Sequence, residues 1–297
     1  METTDTLIDS WLKKHESKIK EFKYTLHLIS KSPLSMIGAF IIACFLLIAV
    51  FAPFLAPHDP YYQEMSARLE APSFQHPLGT DDMGRDILSR IIYGSRISVL
   101  IGIIVVSIGA AIGIIVGAVS GYIGGAGDNI LMRIADMFLS FPPLILAMAI
   151  AAALGPNLRN TIIAIALVRW PVYARLVRSQ VLSIKNSQFI EAIRSMGGSD
   201  IRILFIHILP NCLSPIIVRA TMDLGTVILA AAGLSFIGFG AQPPLPEWGA
   251  MVSDGRQYIV SEWWVAAFPG LAILFVVVGF NILGDGLRDV LDPRLRR

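Results

Sequence analysis

The sequence predicts an all-α membrane protein with six transmembrane helices. Of its 297 residues, 55% are hydrophobic and 15% are charged, whereas an ordinary soluble domain has roughly 25% charged residues. A chain of this size could not bury that much apolar surface in one water-soluble core. The apolar residues also fall in blocks, each near the roughly 20 residues that a helix needs to cross a bilayer.

Six apolar blocks define the expected spans. They cover residues 34–55, 97–119, 137–154, 161–176, 213–234 and 264–283. Pro53 and Pro57 mark the end of the first block. The fourth block is the weakest candidate by composition, because Arg169 and Pro171 interrupt it.

Lysine and arginine predict the orientation, because cytoplasmic loops of membrane proteins are enriched in both. If the N-terminus is inside, 16 of the 24 lysines and arginines lie in cytoplasmic segments and 6 in outer segments. All seven lysines then lie inside. Both ends are therefore expected in the cytoplasm, which requires an even number of spans.

This layout divides the chain into four parts. Residues 1–32 form a basic cytoplasmic tail, either an amphipathic helix on the inner membrane surface or a solvated segment. Residues 33–95 contain the first span and an outer loop, and residues 96–286 form the transmembrane core. Residues 287–297 form a cytoplasmic tail. A second outer segment covers residues 237–263.

Aromatic residues flank the outer end of the last span, namely Tyr258, Trp248, Trp263 and Trp264. They predict an interfacial aromatic belt, and contact with a ligand is the alternative.

The second span contains a stripe of small residues. Gly109, Gly113, Gly117 and Gly121 recur every four residues and therefore lie along one helix face. Such stripes let a second helix approach closely within a membrane. We predict a helix-packing role for these glycines, either within the chain or at a subunit interface.

Three charged residues lie within the spans, where charge is costly and therefore marks a functional candidate. Arg219 and Asp223 are four residues apart and can pair on one helix face. Arg169 lies in the fourth span. We interpret the three as a candidate translocation path. A purely structural ion pair, with Arg169 extending to the inner interface, is the alternative.

A short cytoplasmic segment carries the strongest signal. Residues 188–196 predict a helix, with Ser187 as its N-cap and Gly197 at its C-terminus. This helix has an apolar ridge made of Phe189, Ile193 and Met196. The ridge lies outside the predicted spans, so no transmembrane helix is expected to cover it. It therefore favours a helix-in-groove contact with a cytosolic partner.

Residues 187–210 resemble the EAA loop of permease subunits in ATP-binding-cassette (ABC) importers. The matching positions are Glu191, Ala192, Gly197, Leu209 and Pro210. Ile193 departs from the motif, which usually has a second alanine there, and His207 stands where isoleucine is usual. The resemblance implies that this loop is a coupling helix, seated in a groove of an ATPase subunit.

Three further segments resemble the dipeptide, oligopeptide and nickel branch of the same family. They are residues 78–90, 240–249 and 284–293. The organisation is similar to that of the C-type subunit, which pairs with a homologous B-type permease. The resemblance implies the type I ABC importer permease fold.

The resemblance also implies the function: passage of a di- or oligopeptide across the cell inner membrane. The implied partners are the B-type permease, two cytosolic ATPase subunits that hydrolyse ATP, and an extracytoplasmic substrate-binding protein. Nickel, glutathione and short sugars are alternative substrates within the family. A stand-alone secondary transporter is the alternative from another class. The sequence has no GxxxxGK[ST] phosphate loop, and we expect neither a cofactor nor contact with nucleic acid.

The sequence predicts neither a metal site nor a catalytic site. Its histidines are scattered without the spacing of metal ligands: His15, His27, His58, His76 and His207. The outer acidic residues would suit a nickel ion or a peptide amine, but helix capping and turn hydrogen bonds are the preferred interpretation. These acidic residues are Asp81, Asp82, Asp86 and Glu247.

Overall fold

A computed structural model describes residues 32–291, and this part of the chain is a bundle of helices. In order, the main helices are α1 (Pro33–Leu55), α2 (Ile87–Ile123), α3 (Gly125–Leu139), α4 (Pro143–Leu154), α5 (Leu158–Lys185), α6 (Gln188–Ser195), α7 (Leu213–Ile237), α8 (Trp248–Gly255) and α9 (Trp264–Leu291). The amphipathic helix considered for the N-terminal tail lies outside the described residues.

The long apolar helices form six spans. Five are unbroken: α1, α2, α5, α9 and the helical stretch Asp200–Ile237 that ends with α7. The sixth is the pair α3 and α4, which together have the required length and composition but meet at 90°. Pro142 and Pro143 lie at this bend and cause it, because proline lacks an N–H group and disfavours a helical residue before it.

The contact between α2 and α5 shows that the bent pair crosses the membrane. α2 packs more extensively on α5 than on any other helix. A Cβ atom added at Gly109 would meet Arg169, and one added at Gly121 would meet Val181. Residue numbers rise together along the two helices, so they run in the same direction. α3 and α4 must therefore carry the chain back across the bilayer between them.

The first and last spans pack in opposite directions. Gly286, near the end of α9, lies against Ser35 at the start of α1, and Gly38 lies against Leu283. The start of α1 and the end of α9 therefore lie at the same face of the bundle, as an even number of spans requires. Gly284 meets Met222 of α7 and Gly225 of α7 meets Val277, so α7 and α9 are antiparallel and the segment before α7 lies at this face too.

Helix α2 is much longer than its predicted span. It begins ten residues earlier, where the Asp86 carboxylate accepts a hydrogen bond from the Ser89 N–H (2.7 Å). It ends at Gly124, whose φ of 71° is accessible to glycine at little cost. The prediction stopped at 97 and 119 because charged and small polar residues flank the apolar block.

The two outer segments contact each other through a hydrogen bond from Arg68 to the Tyr258 hydroxyl (3.3 Å), and we call them together the outer layer. Glu247 caps α8 by accepting a hydrogen bond from the Ala250 N–H (2.9 Å), and Asp81 accepts one from Met83 (2.9 Å). For Glu247 and Asp81, these contacts are the capping and turn hydrogen bonds that the sequence predicts. Trp248 departs from the predicted aromatic belt, because it is buried and donates a hydrogen bond to the Ile91 carbonyl (3.0 Å).

We expect Gly117→Ala to destabilise the bundle. Its Cβ would lie 2.3 Å from the Ala174 carbonyl oxygen, so α2 and α5 would have to separate. Overpacking of this kind costs about 1–3 kcal/mol and should lower the thermal unfolding midpoint in detergent. Gly233→Ala in α7 is the matched control, because nothing lies within 4 Å of that Cβ position. Equal midpoints for the two variants would contradict the packing role.

Candidate coupling surface and translocation site

Helix α6 is attached to the bundle through a buried isoleucine. Ile190 is fully buried and belongs to a core with Val177 and Val181 of α5, Ala118 of α2 and Ile203. Burying an isoleucine side chain contributes about 1.5–3 kcal/mol. This core therefore joins α6 to the ends of two spans.

The glycine pair ends α6 as the sequence predicts. Gly197 has a φ of 82°, and its N–H donates to the Arg194 carbonyl (3.0 Å) while that of Gly198 donates to the Ile193 carbonyl (3.0 Å). These bonds form a Schellman motif, which satisfies carbonyls that the helix end leaves free. At the other end Ser187 occupies the N-cap position, but its side chain makes no capping hydrogen bond.

The exposed apolar surface of α6 differs from the predicted ridge at one position. Phe189 and Met196 are exposed, by 46% and 79%. Ile193 instead packs against the core that contains Ile190. The prediction was wrong here because α6 has two apolar faces, one that attaches it to the bundle and one that faces outward.

The rest of the loop adds exposed apolar side chains that the sequence analysis missed. These are Ile201, Phe205 and Ile206. We call these three, with Phe189 and Met196, the coupling surface. Sequence spacing could not separate them from their buried neighbours, because residues 203–208 form a π-helical turn rather than a regular α-helix. Leu209 is partly buried and Pro210 is exposed at the turn that leads into α7.

Polar contacts fix the loop to the spans. The Tyr122 hydroxyl donates to Asp200, and Lys185 Nζ donates to the Tyr122 carbonyl. Nearby, Arg178 binds both carboxylate oxygens of Asp128, at 2.6 Å each. Bidentate arginine–carboxylate pairs have a defined geometry, so this contact holds the α2–α3 turn against α5.

The three intramembrane charges meet in one cluster. Asp223 Oδ1 lies 2.9 Å from Arg219 Nη2 and 3.6 Å from Arg169 Nη1. The sequence predicted the first pair from its spacing along one helix. The contact with Arg169 arises from the packing of α5 beside α7, so the guanidinium faces Asp223 rather than the inner interface.

The charge cluster has more positive than negative charge. Within residues 32–291, Asp223 is the only acidic residue that lies within 4.0 Å of the Arg169 or the Arg219 guanidinium group. Asp223 Oδ2 and the Tyr173 hydroxyl are buried without a hydrogen-bond partner. A cavity of about 300 Å³ adjoins Arg169 and Thr226. This arrangement can attract a solute carboxylate, because charge-assisted hydrogen bonds to arginine are strong.

The outer layer brings together residues that the sequence analysis treated as unrelated. His58, His76 and Asp86 each offer one potential metal-ligand atom, and these atoms lie within 4.8 Å of one another. The prediction that the histidines are scattered is wrong for this pair. No local signal could have found them, because the loop between α1 and α2 has no regular periodicity that would bring distant positions together.

Six spans with an EAA-type loop at one face define the permease subunit of an ABC importer. Residues 109–297 match the family model described as "Binding-protein-dependent transport system inner membrane component". Residues 22–72 match the "N-terminal TM domain of oligopeptide transport permease C". The chain belongs to this family of importer permeases and is a multi-pass protein of the inner membrane.

Curated relatives extend over most of the chain. It is 50% identical to the probable D,D-dipeptide transport system permease of Escherichia coli strain K12, covering 90% of each chain. It is 49% identical to the dipeptide transport system permease of Alkalihalophilus pseudofirmus, over 90% of this chain and 88% of that protein. It is also 48% identical to the glutathione transport system permease of Escherichia coli O6:K15:H31, over 89% and 87%.

A solved structure shows the same fold. The permease chain in an inward-facing MetNI methionine ABC transporter aligns with a TM-score of 0.56 and 23% identity. The alignment covers 69% of this chain and 97% of that one. The type I importer fold predicted from the sequence is therefore confirmed.

We expect Asp223→Ala to be more damaging than Arg219→Gln. Without Asp223 both arginines lose their counter-charge. Because the Arg219 side chain is 38% exposed, the loss of stability should be below the roughly 3–5 kcal/mol of a fully buried ion pair. Without Arg219 the carboxylate still has Arg169 within 3.6 Å. Thermal unfolding of each variant in detergent measures the difference. A smaller loss of stability in Asp223→Ala would show that Asp223 does not organise the cluster.

Proposed function

We propose that this chain is the C-type permease of an importer that moves di- or oligopeptides from an external binding protein into the cytosol. The observation that carries the proposal is the coupling surface, an exposed apolar face on a helix otherwise anchored in the bundle. The partners are a homologous B-type permease, two ATPase subunits and the binding protein. ATP hydrolysis takes place on the ATPase subunits.

The charge distribution supports an orientation with α6 and both chain ends in the cytoplasm. Arg178, Lys185, Arg194 and Arg202 lie at or near the face that carries α6. Positive residues accumulate on the cytoplasmic side of membrane proteins. The outer layer, which includes α8, then faces the binding protein.

Coupling follows from the way α6 is held. An ATPase groove that receives Phe189 and Met196 can displace α6, since an amphipathic helix binds a groove through its apolar face. Ile190 transmits the displacement to α2 and α5, because closely packed interiors deform little. The spans then change between outward and inward openings. A stand-alone secondary transporter has no use for the coupling surface.

The charge cluster favours a solute with a carboxylate. Peptides and glutathione carry at least one carboxylate, and the relatives named above are permeases for dipeptides and glutathione. A nickel ion is disfavoured on this path, because the excess positive charge of Arg169 and Arg219 would repel it. We therefore place these two guanidinium groups along the translocation path.

We expect Phe189→Asp to prevent association with the ATPase subunits. The change places a charge on the apolar face that enters the groove, while Phe189 is half-exposed and lies outside the core that contains Ile190. Co-purification of ATPase subunits from detergent-solubilised membranes measures association. Phe74→Asp is the matched control, because Phe74 is equally apolar and fully exposed in the outer loop. Normal ATPase recovery with Phe189→Asp would contradict the coupling role.

We expect Arg219→Gln to slow peptide uptake by about tenfold or more, because a hydrogen bond to a charged group contributes about 1.5–3 kcal/mol. Arg219→Lys keeps the positive charge and should retain most of the activity. Uptake of a labelled dipeptide is measured in proteoliposomes that contain the full importer, its binding protein and internal ATP. Equal uptake rates for the Gln variant and the unmodified importer would show that Arg219 does not line the translocation path.

A further inference from the structure

Three side chains from different parts of the outer layer converge at one point. His58 follows α1, His76 lies in the outer loop, and Asp86 is the N-cap residue of α2. His76 Nδ1 is 3.0 Å from Asp86 Oδ1, and His58 Nδ1 is 3.8 Å from Asp86 Oδ2. The two imidazole rings lie side by side, with their centroids 4.8 Å apart.

Hydrogen bonds hold each of these residues in place. The backbone N–H of His58 donates to Ser89 Oγ (3.0 Å), and the backbone N–H of His76 donates to Ser73 Oγ (3.1 Å). Asp86 Oδ2 accepts from both the N–H and the hydroxyl of Ser89, at 2.7 Å each. The two backbone bonds fix the main chain at each histidine, and the Ser89 bonds orient the Asp86 carboxylate, as outer hydrogen bonds to a metal ligand do.

A hydrogen bond between one histidine and Asp86 does not account for the position of the second histidine. It pairs His76 with Asp86, but His58 Nδ1 is buried and has no hydrogen-bond partner. A buried polar atom without a partner costs about 1–3 kcal/mol. The rest of the His58 side chain reaches the surface, being 36% exposed. An ion could therefore enter beside His58 and bind its unpaired nitrogen.

We propose that His58, His76 and Asp86 bind one Zn²⁺-like divalent cation, with water as the fourth ligand. Ligand atoms about 2.0–2.1 Å from a tetrahedral zinc ion lie about 3.3 Å from one another. His76 Nδ1 lies 3.0 Å from Asp86 Oδ1, close to this value. His58 Nδ1 lies 3.8 Å from the other carboxylate oxygen, Oδ2, and the three ligand atoms lie within 4.8 Å of one another, so the His58 side chain would have to shift towards the ion. Two imidazoles and a carboxylate suit Zn²⁺ or Ni²⁺, whereas Mg²⁺ and Ca²⁺ prefer oxygen ligands.

The bound cation would join the outer loop to α2. Its ligands come from the segment after α1, from the middle of the loop and from the residue that starts α2. It therefore stabilises the outer layer and takes no part in the charge cluster within the membrane. The proposal is independent of which solute the importer carries.

Metal titration of the full-length protein tests the site. The protein is purified with a tag that lacks histidine, stripped with EDTA and titrated with Zn²⁺ by calorimetry, and with Ni²⁺ and Mg²⁺ in separate runs. We expect one equivalent of Zn²⁺ or Ni²⁺ to bind and no binding of Mg²⁺. His58→Ala should weaken binding by at least about 100-fold, since losing an outer-shell partner alone costs 10–100-fold.

His207→Gln is the matched control, because it removes a histidine at the opposite face and should leave zinc binding unchanged. Zn²⁺ should raise the unfolding midpoint of the unmodified protein and of the control, but not that of His58→Ala. If His58→Ala does not fold, the visible spectrum of the Co²⁺-loaded unmodified protein provides a second test, with tetrahedral absorption expected. The proposal is overturned by the absence of stoichiometric binding, by undiminished binding in His58→Ala, or by a Co²⁺ spectrum without tetrahedral absorption.

Discussion

The close packing of α2 on α5 is the contact on which the rest of the structure depends. Four glycines remove the side chains from one face of α2, so that the backbone of α5 approaches directly. Within a membrane such contact is favourable because helix association relies on van der Waals packing rather than on the hydrophobic effect. In this contact α2 and α5 run parallel to each other. The bent α3–α4 pair between them must therefore cross the membrane as a complete span.

The same contact links the two candidate functional regions. Arg169 lies opposite Gly109, and Val181, in the core that holds Ile190, lies opposite Gly121. Twelve residues of helix separate Arg169 from Val181, a rise of about 18 Å. α5 is continuous over this stretch and therefore connects the intramembrane charge cluster to the helix that carries the coupling surface. In the proposed mechanism, displacement of α6 shifts Arg169 relative to Asp223 on α7, whereas Arg219 stays paired because it shares that helix.

Local features were predictable wherever one helix or one turn determines them. The glycine stripe, the pairing of Arg219 with Asp223 and the positive φ of Gly197 all follow from spacing along a single helix or from a helix end. Predictions were less accurate where packing between elements decides. Ile193 packs against the core instead of lying on the expected ridge, and Trp248 is buried instead of lying in the expected aromatic belt. Local periodicity does not show which neighbouring element a side chain packs against.

The sequence by itself determined the membrane class, the six apolar blocks and the loop that resembles the EAA motif. The spans were predictable because the bilayer requires each of them to satisfy its own backbone hydrogen bonds. That requirement makes every span a local property of about 20 residues. Only the tertiary structure brought Arg169 to Asp223, and His58 and His76 to Asp86. These contacts join residues on different elements, and their geometry is set by how the helices and the outer loop pack.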